Sequence, residues 1–289
     1  MGEPTVDLHM HSTASDGSTN PAALVQEAAA SGLKTIAFCD HESIEGYLET
    51  VGPARELGIE VIPGVELVTI YQGREIHLLG YYVDADSPEL TGWLQDLRQD
   101  RNQLAVEVVD KLNHYGYKIT FERVREIARA NVAIGKNHYL VALIEAGYIR
   151  SREEIIYILR NYLSHKGLAY VDFTNNPYYE AVEMILECGG IPVLAHPGLI
   201  RDDNLVQDLM RHPRLGMEVY YYYLNGRQQL VAKYEKYARE NGLIMTGGSD
   251  YHGRFSPDVK LGELMVPENV VSSLKAETRR AKGVLQVGL

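Results

Sequence analysis

Imidazoles and carboxylates recur at the exits of short apolar runs along this 289-residue chain, and that recurrence restricts its fold more than any other feature. The first instance is Asp7-Leu8-His9-Met10-His11. Thr5 to His9 reads as a strand, so His-x-His at its exit places two imidazoles where the backbone turns, able to converge on one cation. Asp16 lies in the loop that follows. Leu33 to Phe38 reads as a buried strand ending in Asp40-His41. Ile59 to Ile62 runs into Pro63-Gly64-Val65-Glu66, and Glu75 to Leu79 carries His77. Ile191 to Ala195 ends in His196-Pro197, and Leu243 to Thr246 leads into Ser249-Asp250-Tyr251-His252. Six of the ten histidines occupy these positions, which chance would scatter over helices and loops. A mixed imidazole and carboxylate set suits manganese, iron or zinc. One cation seldom takes more than about six ligands, so nine candidates point to two or three metals sharing a bridging carboxylate, with Glu66 placed for that role.

Between the strands the pattern turns helical. Asn20-Pro21 reads as an N-cap with proline at the first helical position, and Gly32 closes that helix. Ile44 to Leu57 is expected to be helical with a break near Gly52-Pro53. Glu180 to Glu187 and Gln228 to Glu240 are further helices, with a strand over Met217 to Tyr222. Strand-helix alternation predicts a parallel sheet or barrel whose chemistry collects at the carboxyl ends of its strands. The stretch from Arg98 to His165 differs. Leu104, Val108 and Leu112 share one helical face, Leu140, Leu143 and Ile144 another, and Ser151-Arg152-Glu153-Glu154 fits a capping box. The expected organisation is therefore a barrel domain over 1–98 and 168–289, resuming with a strand at Leu168 to Val171. A helical insertion over 99–167 would cover the substrate pocket.

The formal charge of −11 argues against wrapping long duplex nucleic acid, which needs a basic surface. Three divalent cations would cancel about half of that charge and favour an anionic substrate. Cys39 and Cys188 are the only cysteines, which suits a reducing compartment. No apolar run approaches a membrane span, and Met1 to Asp7 lacks the regions of a signal peptide, so the sequence reads as cytoplasmic.

Taken in order, the motifs are Asp-Leu-His-x-His-Ser-x-x-Ser-Asp-Gly from Asp7 to Gly17, Asp40-His41, Pro63-Gly64-Val65-Glu66, His77, Ala195-His196-Pro197 and Ser249-Asp250-x-His252. Together they resemble the PHP (polymerase and histidinol phosphatase) superfamily. Within it they are similar to small phosphoesterases that act on nucleotide ends and carry a helical insertion. The resemblance implies a distorted seven-stranded, TIM-like β/α barrel with a trinuclear centre holding manganese, with iron or zinc as alternatives. It implies His9, His11, Glu66 and Asp250 on the first metal, Glu66, His77 and His196 on the second, and Asp16, His41 and His252 on the third. Hydrolysis would follow from in-line attack of a hydroxide bridging two cations. Asp40 is not a ligand in that scheme and is expected to orient an imidazole or assist proton transfer; Asp40, His252 or a metal-bound water is expected to protonate the leaving group.

Gly135-Lys136-Asn137-His138 stands where relatives carry Gly-Arg-Pro-His at a helix start, a segment suited to gripping a second phosphate. Lysine keeps the charge but loses the bidentate fork. Lys136, His138, Arg201 and Arg227 are the candidate substrate contacts, with solvent exposure the competing reading for the two arginines. His114, His165 and His212 read as surface or packing residues. The expected substrate is a nucleoside 3′,5′-bisphosphate or a short 5′-phosphorylated RNA, with histidinol phosphate as the alternative. An amidohydrolase would need a bridging lysine at a strand end, and none is there; a non-catalytic metal- or nucleotide-binding module need not keep a full ligand set. The expected partners are thus a small phosphorylated substrate, no membrane and no long duplex, in a monomer or weak homo-oligomer.

Overall fold

Seven strands pair in chain order in a single sheet: β1 (Val6–Met10), β2 (Thr35–Phe38), β3 (Glu60–Tyr71), β4 (Arg74–Tyr81), β5 (Ile191–Leu194), β6 (Gly216–Tyr221) and β7 (Met245–Gly248). The architecture is that of a computed structural model describing residues 5–129, 132–173 and 175–287. The backbone leaving β7 returns to β1. Asp250 N–H donates to the His9 carbonyl at 2.7 Å and His11 N–H to that of Tyr251 at 2.9 Å, so the sheet curls into a nearly closed barrel. Among the described residues no helix is long and apolar enough to cross a membrane.

The barrel is not parallel throughout. β3 runs on through Pro63-Gly64 for 12 residues, well past the expected end at Ile62, and hairpins into β4. Gln72 and Gly73 both have left-handed backbones (φ 49° and 71°), the two-residue turn whose twist matches that of the flanking strands. β4 is therefore antiparallel to both β3 and β5. Its reversal has a direct consequence for the site: His77 comes from the first half of β4, opposite Val68, and so reaches the same barrel end as residues that leave the other strands.

Around the sheet lie α1 (Pro21–Ala30), capped by Asn20 accepting from Ala23 N–H at 2.9 Å, and α2 (Glu45–Glu56), which continues through Pro53 rather than breaking there. The inserted helices are α3 (Pro88–His114), α4 (Phe121–Ala128), α5 (Lys136–Glu145) and α6 (Arg152–Ile158). The Ser151 and Glu154 capping box opens α6, each side chain accepting from the other's N–H at 3.2 Å. Then follow α7 (Tyr178–Glu187), α8 (Asp203–Leu209), α9 (Arg227–Glu240) and α10 (Asn269–Val287). Leu168 to Val171 forms no strand. It is a strap crossing from the insertion to the barrel, held by Lys111 Nζ donating to the Tyr170 carbonyl at 2.9 Å.

α3 belongs to two cores. Leu90, Leu94 and Leu97 pack into the barrel cluster, whereas Ala105, Val109 and Leu112 pack with Leu140, Leu143 and Leu163 of the insertion. At the crossover, Arg98 donates to the Glu42 carbonyl at 2.6 Å and Arg101 pairs with the Glu42 carboxylate, tying the long helix to the loop after β2. Ile144, expected on an apolar face, is exposed.

Candidate metal centre

At the strand exits the backbone turns sharply inward. Glu42, His196 and Asp250 adopt left-handed conformations (φ 47°, 29° and 57°), which cost energy for residues with a side chain and mark positions fixed by their surroundings. The result is one cluster. Glu66, buried on β3, has its two oxygens on different neighbours. Oε1 lies 2.8 Å from His77 Nδ1 and 3.2 Å from His196 Nε2; Oε2 lies 3.4 Å from His9 Nε2, 3.2 Å from His11 Nε2 and 3.4 Å from His41 Nδ1. Asp250 Oδ1 lies 3.0 Å from His11 Nε2 and 3.5 Å from both His9 Nε2 and His252 Nδ1. Asp16 Oδ1 is 3.3 Å from His252 Nε2 and 3.9 Å from His41 Nε2.

Potential ligand atoms close enough to share an ion form three groups: His9, His11, Glu66 and Asp250; His11, Asp16, His41 and His252; and His41, Glu66 and His77. His196 approaches through Glu66 Oε1. Several of these atoms are buried with no hydrogen-bond partner: His9 Nε2, both His11 nitrogens, Asp16 Oδ1, His41 Nδ1 and Asp250 Oδ1. Orphaned buried polar atoms are costly, and their convergence fits a cation that satisfies them together. The charges agree. Burial would raise the Glu66 carboxyl, but the imidazoles of His77, His9 and His41 hold it well below the usual carboxylate range. Asp16 and Asp250 are held down against burial in the same way, chiefly by His252 and His9. Burial lowers the His11 pKa, yet Asp250 and Glu66 push it up to about 10, so a proton occupies ground that a cation would otherwise hold.

Outer groups aim these ligands. Glu218 on β6 is fully buried: Oε1 meets His9 Nδ1 at 2.8 Å, turning Nε2 toward the cluster, and Oε2 accepts the His196 N–H at 2.7 Å. Tyr221 O–H donates to Asp250 Oδ2 at 2.8 Å, leaving Oδ1 for the imidazoles. His252 Nδ1 meets the Asp250 carbonyl at 2.9 Å, which turns Nε2 to Asp16. Sequence reasoning passed over Glu218, although a carboxylate inside the apolar run Gly-Met-Glu-Val-Tyr-Tyr was its signal.

Asp40 is placed differently from expectation. Both its oxygens are taken by Ser12 N–H (2.7 Å), Ser12 Oγ (2.8 Å) and Ser15 Oγ (2.6 Å), so it braces the loop that carries Asp16 and orients no imidazole. His138 is buried, and its Nδ1 accepts the Gly135 N–H at 3.0 Å to cap α5; it lines no part of the pocket beside His77. Arg201 and Arg227 are exposed and outside that pocket, Arg227 lying over the Tyr222 ring, because their loops face away from the barrel mouth. Lys136 does line it, with Nζ 2.7 Å from Glu75 Oε1. The pocket, about 710 Å³, runs from Asp16, His41 and His77 to an apolar wall of the insertion and includes Arg101, which sequence reasoning did not single out.

The PHP domain model matches residues 7–252, a span that contains every side chain of this cluster. The chain belongs to the PHP domain family. This PHP protein is 31% identical over 255 residues to the phosphoribosyl 1,2-cyclic phosphate 1,2-diphosphodiesterase of Eggerthella lenta, covering 86% of this chain and 94% of the relative. It is 34% identical over 254 residues to a 5′-3′ exoribonuclease of Haemophilus influenzae (85% and 89%). It is 28% identical over 256 residues to the 3′,5′-nucleoside bisphosphate phosphatase of Chromobacterium violaceum (86% and 87%). The PHP protein is thus a hydrolase of the metal-dependent phosphoesterase type.

Proposed function

We propose that this PHP enzyme hydrolyses a phosphate ester of a small nucleotide, a nucleoside 3′,5′-bisphosphate or a short 5′-phosphorylated RNA, with three divalent cations, manganese foremost. The observation carrying this reading is the set of unpartnered buried atoms gathered around the two Glu66 oxygens, beside a pocket large enough for a nucleoside. His9, His11, Glu66 and Asp250 would hold one cation, Glu66, His77 and His196 a second, and Asp16, His41 and His252 a third. When bound, the cations supply Lewis acidity, lowering the pKa of a water and neutralising phosphoryl oxygens.

The chain's own residues supply orientation. Glu218 fixes His9, Tyr221 fixes Asp250, and Asp40 fixes the Ser12 to Gly17 loop behind Asp16. His9 and His11 are wholly buried, so solvent reaches the cluster only from the barrel mouth. There the apolar wall of Leu104, Val108, Ile134 and Phe173 suits a base and sugar, while Lys136, Glu75 and Tyr170 form a polar rim. His252 lies at the Asp16 edge, where it can hand a proton to the departing oxygen.

The test is phosphate or nucleotide release by manganese-loaded protein from adenosine 3′,5′-bisphosphate, a 5′-phosphorylated RNA, histidinol phosphate and p-nitrophenyl phosphate, with and without chelator. Chelator-sensitive turnover of the bisphosphate or the RNA is expected. Selective turnover of histidinol phosphate, or activity that survives chelation, overturns the reading.

A further inference from the structure

The cations of the nucleoside pocket are already spent. Lys136 is paired with Glu75 and Arg101 with Glu42, so neither offers a free charge to a second phosphate. Two arginines on the other side of the Asp16 loop differ. A groove of about 450 Å³ has that loop for its floor, with Thr13 and Ser18 exposing hydroxyls, and is flanked by Arg129 at the end of α4 and by Arg254 and Phe255 just after His252. Both arginines are exposed, and among the described residues neither makes an ion pair or a side-chain hydrogen bond. The Arg254 guanidinium lies 5.1 Å from the centre of the Phe255 ring.

Unpaired guanidinium groups are conspicuous on a chain of net charge −11 whose cluster is rich in carboxylates. Both borders of the groove lead into the Asp16, His41 and His252 group, the floor through Asp16 and the wall through His252. A guanidinium fork matches two phosphate oxygens, an aromatic face accepts any base, and hydroxyls serve a sugar-phosphate backbone. We propose that this groove is the track for a single-stranded oligonucleotide, with Arg129 and Arg254 on the phosphate next to the one held at the metal cluster. The proposal rests on the phosphoesterase reading of that cluster and narrows its substrate class from mononucleotides to the ends of single strands.

The test compares manganese-loaded wild type with Arg129→Ala/Arg254→Ala and Arg129→Lys/Arg254→Lys on a 5′-phosphorylated RNA tetramer and on adenosine 5′-monophosphate. The Arg254 backbone N–H, not its side chain, holds Ser18 Oγ at 2.9 Å, so the substitution leaves the loop anchored. In the alanine variant, kcat/KM for the tetramer relative to the monophosphate falls about tenfold or more. The log-log salt dependence for the tetramer loses about 1.4 in slope, for two single-strand contacts at roughly 0.7 each, and lysine restores it. Equal losses on both substrates, or an unchanged ratio and slope, overturn the proposal while the phosphoesterase reading stands. If wild type hydrolyses neither nucleotide, that reading fails and the groove proposal fails with it.

Discussion

The barrel and the insertion reach the same centre by different means. Barrel residues leave successive strands, are turned inward by a strained backbone at His196 and Asp250, and are locked from behind by buried partners such as Glu218 and Tyr221. The insertion arrives through one close approach. The start of α5 lies against Asp16, with Asn137 Nδ2 donating to the Asp16 carbonyl at 3.2 Å, and a Cβ on Gly135 would fall 2.4 Å from Asp16 Oδ2. Its pocket-lining cation, Lys136, is half-exposed and neutralised by a carboxylate from β4. Geometry that must be held within tenths of an ångström is thus built on rigid strands, and the part that meets a variable leaving group is built on helices that can shift without disturbing the cluster.

That contrast breaks if the barrel residues are dispensable. His11 belongs to two of the three ligand groups, so His11→Ala lowers turnover by about a thousandfold or more and lowers bound manganese measured by mass spectrometry. Retained activity would remove the cluster from the chemistry. One step further out, Glu218→Gln lowers activity or metal affinity by about tenfold to a hundredfold, because His9 loses its orienting charge while the shape is kept. Asp40→Asn acts on the fold: with three donors facing one acceptor oxygen, the variant loses about 2 kcal/mol in denaturant melts, and a variant as stable as wild type would refute the bracing role.

The pH dependence sharpens the same comparison. With its pKa at about 10, His11 carries a proton at neutral pH until a cation displaces it. Manganese binding at pH 7 should therefore release protons, and affinity should weaken as pH falls. Calorimetry in buffers of different ionisation enthalpy measures this directly, and zero proton release would contradict it. The smallest effect belongs to the insertion: Lys136→Ala changes kcat/KM for adenosine 3′,5′-bisphosphate by no more than about threefold, since its ammonium is already engaged.

The cluster was legible because its chemistry is local in sequence: an imidazole or carboxylate after an apolar run announces itself at His9, His41, Glu66 and Asp250 alike. The direction of β4 was not legible. Gln72-Gly73 is a weak turn signal, and His77 in a strand reads the same whichever way the strand runs. Glu218 and Arg101 escaped because their meaning lies in partners distant in sequence, His9 and Glu42. Lys136 was found but its partner was not, since nothing in the sequence links Glu75 to α5. Helical periodicity likewise predicts an apolar face for α5 but not what covers it, so Ile144 was misplaced.

The sharing of α3 bears on how the molecule comes apart. Leu97 and Ala105 are about two turns apart on one helix, yet they anchor different cores. Neither core can melt without fraying the helix that seals the other, so heat should meet a single cooperative transition. An excision near residue 99 would sever the barrel's own anchor, and the insertion cannot be shed or exchanged as an independent module.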